Sequence, residues 1–201
     1  IRIKEISSEE VVKDHLKRID EVNPKLNAVT VVLEETALEL ARESDQEKPT
    51  GPLHGVPFTV KENIDLMGSP TTNGIPAGAN TMPTADAPVA ERMKGAGAIP
   101  IARTNLPELG LRIDTDNPLR GRTYNPWDKS RTAGGSSGGE ASAIASGMSP
   151  IGLGNDIGGS VRNPAFCCGI SSLKPSAGRI PRGSSIAPIE RGFADQWMAV
   201  D

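Results

Sequence analysis

Two serines set in glycine constrain this chain more than any other feature. Ser136 lies in Gly134-Gly135-Ser136-Ser137-Gly138-Gly139, and Ser160 closes Asp156-Ile157-Gly158-Gly159-Ser160, 24 residues further on. Glycine runs let a backbone turn tightly and present its N–H groups where a Cβ would obstruct them. Between the two runs, residues 140–146 read as a helix of small side chains and 151–153 as a strand. A second helix is expected from Val161, started by the Gly-Gly-Ser turn. Helix and strand joined at glycine corners point to an α/β arrangement.

The upstream segments continue the alternation. Ser7-Ser8-Glu9-Glu10 before an apolar-periodic run is a capping box, with Ser7 as N-cap and Glu10 reaching back. Val12, Leu16 and Ile19 line one face of that helix, and Asn23-Pro24 is expected to end it. Residues 28–33 are a β-branched strand, and 34–43 a helix with Ala37, Leu38 and Ala41 at helical spacing. After turns at Gly51-Pro52 and His54-Gly55, residues 56–60 form a short buried strand that delivers Lys61 at its end. A helix over 86–96, a strand over 98–102, a helical turn over 106–111 and a polar loop over 114–131 complete the pattern. Such alternation implies a mostly parallel sheet with helices on its faces. Neither an internal repeat nor a linker divides residues 1–201, so one domain is expected.

Composition excludes several classes. The net charge is -3 with no basic block, which favours neither nucleic acid nor an anionic membrane. Aromatics are only 3%, while 22 Gly and 17 Pro suit an α/β protein rich in tight turns. Residues 66–85 are uncharged but broken by Gly68, Pro70, Pro76 and Pro83, and 141–155 is short and interrupted. Neither is apolar enough to span a bilayer. No signal-peptide pattern is present, and adjacent Cys167 and Cys168 read as reduced thiols, so a cytoplasmic location is expected. No Cys/His/Asp cluster has metal-ligand spacing, no Walker A occurs, and GLGNDIG misses the dinucleotide fingerprint, so neither metal nor cofactor is expected.

Lys61, Ser136 and Ser160 can together perform acyl transfer without histidine, and the chain has only His15 and His54. Ser160 is the candidate nucleophile, with the backbone N–H groups of Ile157, Gly158, Gly159 and Ser160 as a candidate oxyanion hole. Taken alone, Gly-Gly-Ser is a strand-to-helix turn or a phosphate cradle. Gly134 to Gly138 also has the G-x-S-x-G form of a nucleophile elbow, but that arrangement needs an acid and then a histidine downstream, and no histidine follows Ser136. The same residues could be a Gly/Ser linker. An isolated lysine is a surface charge. Lys61, however, follows the apolar Val56-Pro57-Phe58-Thr59-Val60, and as a base near neutrality it would need a pKa lowered by about three units, or about 4 kcal/mol. Structural roles are expected for an Asp156–Arg162 pair beside the nucleophile, for the turn Asn125-Pro126-Trp127-Asp128, and for His54 on local backbone groups.

The segment GGSSGGEASAIASGMSPIGLGNDIGGSVRNPAFCCGISSLKPSAGR, with GPLHGVPFTVKENID upstream, resembles the amidase signature family of Ser-Ser-Lys hydrolases. The resemblance runs over residues 49–181, and 7–45 is similar to that family's N-terminal helical region. It implies an α/β fold, a mostly parallel mixed sheet covered by helices, of which this chain is the N-terminal part, incomplete on the C-terminal side. It implies an amidase with Lys61 as base, Ser136 as relay on a cis Gly135–Ser136 bond, and Ser160 as nucleophile. A small-molecule amide is the expected partner, with room for a homodimer. Two other readings stay open: a glutamine-hydrolysing amidotransferase subunit of the same family, and a non-enzymatic module using its glycine loops as an anion nest.

Overall fold

In the computed structural model, which describes residues 1, 3–181 and 183, one strand organises the rest. That strand, β2 (Pro57–Lys61), is buried at every position. It lies between β3 (Ile99–Thr104) and β4 (Gly152–Leu153), parallel to both, while β1 (Val29–Val32) joins the far side of β3 antiparallel. The order β1-β3-β2-β4 makes a mixed, mostly parallel sheet, as the alternation of elements implies. The remainder of the expected 1–201 domain lies outside the described residues.

Helices cover the sheet because their apolar stripes need a partner. α1 (Ser8–Leu26) buries Val12, Ile19 and Leu26, and α2 (Glu34–Gln46) buries Ala37 and Ala41 into the same cluster, which includes Ile99 and Ile101 of β3. Each large aliphatic side chain so buried contributes about 1.5–3 kcal/mol. The α1 capping box forms as its sequence requires, with Glu10 N–H donating to Ser7 Oγ and Ser7 N–H to Glu10. Asp45, at the end of α2, accepts from the N–H groups of Ser8 and Glu9 and pins the two helices together. A second cluster packs Phe58 and Val60 of β2 against Ala87 and Ala90 at α3 (Pro88–Gly95). By strand alternation, Thr59 and Lys61 face the other way, toward α4 (Gly138–Ala145). α5 (Arg162–Cys168) packs on α4 through Cys168, Ala133 and Ala141.

The expected end of α1 at Asn23-Pro24 is corrected by the structure: the helix continues through Pro24 to Leu26. The stop is Asn27, left-handed at φ 52°, whose N–H returns to Asn23 O. A proline in the last turn forfeits a single ladder bond, and the Asn23 side chain is spent on the N–H groups of Ala28 and Val29 instead of ending the helix. Other boundaries differ by one to three residues from those expected. Residues 66–85 are irregular apart from a 3₁₀ turn, and no helix of the described residues is long and apolar enough to cross a membrane.

Candidate active site

Lys61 ends β2 with no exposure to solvent. Its Nζ donates to Ser136 Oγ at 2.7 Å and to Asn155 Oδ1 at 2.6 Å. Burial pulls its pKa down to about 7, against the upward pull of the Glu140 and Asp156 carboxylates. An amine balanced near neutrality and in contact with a hydroxyl can both take and return a proton. The strand is held in place from β3. Arg103, itself fully buried, donates to the carbonyls of Val60, Lys61 and Ile64 and to Ser69 Oγ, fixing the backbone where it leaves the sheet.

Ser136 is 2% exposed and follows a cis Gly135–Ser136 peptide bond. Its loop is fitted closely to the loop carrying Ser160. Gly134, at φ +80°, brings its backbone so near that a Cβ there would stand 2.5 Å from the Pro164 Cα. Gly135 N–H donates to Asn163 Oδ1, and Ser137 N–H to the carbonyl of Ser160 at 3.0 Å. The two glycine-set serines thus stand on adjoining backbones. Ser160 is half-buried, and its hydroxyl makes no hydrogen bond among the described residues, to Ser136 or to any other group.

Asp156 organises the turn before Ser160. Its carboxylate accepts from the N–H groups of Gly159, Val161 and Arg162 and from the Arg162 guanidinium, so the expected Asp156–Arg162 pair is present. Burial raises its pKa, but these donors prevail and hold it well below the usual carboxylate range. The expected set of four N–H donors needs a correction here. Gly159 N–H is turned onto Asp156 Oδ1 at 2.6 Å, because the carboxylate stands inside the turn. The N–H groups of Ile157, Gly158 and Ser160 have no partner among the described residues.

Three residues around Lys61 escaped sequence reasoning. Asn155 holds Nζ and is itself oriented by donating to Asn63 Oδ1 at 3.0 Å. Glu140, buried in the first turn of α4, accepts from the hydroxyls of Thr59 and Thr104. Burial pushes its pKa up to about 7, while the Thr104 and Thr59 hydrogen bonds and the charges of Lys61 and Arg103 pull the other way. Only the polar character of Asn155 and Glu140 amid small residues could have flagged them. Neither histidine is near the site: His54 bonds Ser44 and Thr50, and His15 faces Gly147 O. Trp127 Nε1 anchors its turn on Cys168 O, and Cys167 and Cys168 are both free thiols. Among the described residues no cluster of His, Cys, Asp and Glu is placed to hold a metal ion.

Known proteins resemble this chain in sequence and fold. The Amidase family model matches residues 10–196. The chain is 50% identical to an indoleacetamide hydrolase of Bradyrhizobium diazoefficiens, over 99% of this chain and 39% of that protein. It is 42% identical to a glutamyl-tRNA(Gln) amidotransferase component of Carboxydothermus hydrogenoformans, over 93% of this chain and 39% of that protein. Among solved structures it superimposes on a bacterial aryl acylamidase of the amidase signature enzymes with a TM-score of 0.78 at 36% identity, covering 82% of this chain and 35% of that one. The chain spans about two-fifths of the length of the curated relatives it matches. With a family match over most of its length, this chain belongs to the amidase signature family.

Proposed function

We propose that this chain supplies the catalytic residues of an amide hydrolase, with Lys61 as base, Ser136 as proton relay and Ser160 as nucleophile. The observation that carries the reading is the buried Lys61 amine, its pKa near 7, hydrogen-bonded to the Ser136 hydroxyl. Neutral Lys61 takes the Ser136 proton as Ser136 takes that of Ser160, and Ser160 Oγ adds to the amide carbonyl. The relay requires the Ser160 hydroxyl to reach Ser136 Oγ, a tightening that substrate binding commonly brings. The unpartnered N–H groups of Ile157, Gly158 and Ser160 face the developing oxyanion, and such donors are worth about 3–4 kcal/mol each. The relay then runs backwards and protonates the amide nitrogen, so the C–N bond breaks to release ammonia or an amine rather than an amide anion. Water, deprotonated by the same relay, discharges the acyl-enzyme to the carboxylate.

The similarity to an indoleacetamide hydrolase supports a primary arylacetamide as the first substrate to test. A fluorophosphonate should label Ser160, and Ser160→Ala should abolish both labelling and hydrolysis of indoleacetamide. Modification of Ser136 with Ser160 untouched would restore the elbow arrangement and overturn this one. The similarity to amidotransferase components supports a second reading, hydrolysis of glutamine to feed ammonia to a partner protein. Glutaminase activity that appears only with added partner proteins would select it.

A further inference from the structure

Glu140 has no part in the relay, yet it is a buried ionisable group built into the floor of the same site. In the parallel pairing of β2 with β3, Lys61 stands opposite Thr104, and in that of β2 with β4, Thr59 stands opposite Gly152. Thr59 and Lys61, two residues apart on one strand, share a face. The Glu140 carboxyl group spans this patch, one oxygen on Thr59 and the other on Thr104, on the face that Lys61 shares and near enough for the two charges to act on each other. The fourth side of the seat is an absence of side chain. A Cβ at Gly152 would fall 1.7 Å from Glu140 Oε1, so the strand has room for the carboxyl group only because that position is glycine. Three positions, one each on β2, β3 and β4, are therefore shaped around one acid of α4.

We infer that Glu140 is a positioning residue for the lysine base, its carboxyl group seated by Thr59, Thr104 and Gly152 so that its charge sets how readily Lys61 gives up and regains a proton. The inference rests on Lys61 being the base. The charged groups around the pair are few. Asp156 acts on Lys61 from the loop after β4, and Arg103 acts on Glu140 from β3. Glu62, Asp65 and Arg120 act on Arg103 behind the strand, with Arg120 paired to Glu62 at 2.5 Å. Glu140 is the stronger of the two carboxylates that raise the Lys61 pKa, and Lys61 lowers that of Glu140 in turn. A negative Glu140 retains the Lys61 proton, and a neutral one releases it. Without the acid, Lys61 would lose its proton at lower pH.

The test follows the rate of Ser160 labelling by a fluorophosphonate as a function of pH, in which Ser160 Oγ displaces fluoride from phosphorus and its proton passes to Lys61. Glu140→Gln keeps the shape and removes the charge; its amide oxygen accepts from one threonine, and its NH2 group donates to the hydroxyl of the other. Its acidic limb should move down by up to about one pH unit, the full shift belonging to the ionised form of Glu140. At the wild-type midpoint, where part of Glu140 is still ionised, the variant should then label faster relative to its own plateau, by up to about twofold. Thr104→Val removes one donor that favours ionised Glu140, and should move the limb the same way by less. A purely structural role would lower the plateau and leave the limb in place, and that result in both variants overturns the inference. Lys61→Ala separates the two levels. If it labels with the wild-type rate and pH profile, the base assignment itself fails; if it loses labelling while the Glu140→Gln and Thr104→Val limbs stay fixed, only the role of Glu140 fails.

Discussion

Replacing Lys61 by methionine should remove reactivity and also change how stability responds to pH. Lys61 is the reverse of a lysine that gains an ion partner: burial brings its folded pKa down to about 7 from 10.5, so folding expels its proton. Its contribution is unfavourable in full below about pH 7 and fades as pH rises toward 10.5, where the unfolded chain gives up the same proton. Within that window each pH unit is worth about 1.4 kcal/mol. Lys61→Met removes this dependence but also leaves Ser136 Oγ and Asn155 Oδ1 without their donor. Two buried acceptors left unmatched cost about 1–3 kcal/mol each, whatever the pH. The variant's absolute stability is thus the difference of two opposed effects of similar size, whereas its pH slope isolates the lysine. Urea unfolding of both proteins between about pH 8 and pH 10 should show the wild type gaining ~2.7 kcal/mol relative to the variant. Starting near pH 8 leaves most of the titration of Glu140, whose pKa is pushed up to about 7, below the window. Parallel curves for the two proteins would mean that Lys61 is protonated in the fold and that its neutrality, and with it the base, is lost from the reasoning.

Asn155→Asp would set a carboxylate where Lys61 Nζ now meets an amide oxygen at 2.6 Å, so the acidic limb of labelling should move up by about one to three pH units. An unchanged midpoint would separate Asn155 from the proton equilibrium. Gly152→Ala would drive a methyl group into Glu140 Oε1 and should lower stability by about 1–3 kcal/mol in urea titration, with any smaller loss showing that the carboxyl group has room to move.

The parts of this structure legible in sequence are those whose physics is local. The Ser7–Glu10 capping box spans four residues and forms as its pattern requires, and Lys61 is buried because an apolar strand carries it there. The Asp156–Arg162 pair is equally a short-range affair. α1 ran past its expected end because Asn23-Pro24 has two uses, and only the left-handed Asn27 distinguishes them. The seat of Glu140 was beyond reach for a different reason. Thr59 lies 81 residues and Thr104 lies 36 residues away along the chain, so the three meet only once β2, β3 and α4 have assembled. Asn155 depends likewise on contacts 94 and 92 residues distant. The diversion of Gly159 N–H onto Asp156 is local, but glycine leaves its direction open, and a run of such residues reads as four equal donors where the fold makes three.

Arg103 divides the site into halves of unequal stiffness. Its planar guanidinium grips three carbonyls at the end of β2, a fork that lysine cannot reproduce, so the backbone bearing the amine is tied into the sheet on the side away from Ser136. At the turn before Ser160 the packing is looser: a Cβ at Gly158 would meet nothing within 4 Å, and Ile157 is 36% exposed. On the proposed reading, ligands of different shape would meet their give at residues 157 and 158, leaving the amine where it stands. On that reading, the same asymmetry would let substitutions near residues 157 and 158 alter which molecules fit without retuning Lys61. Durable chemistry and changeable selectivity can then coexist in one small sheet.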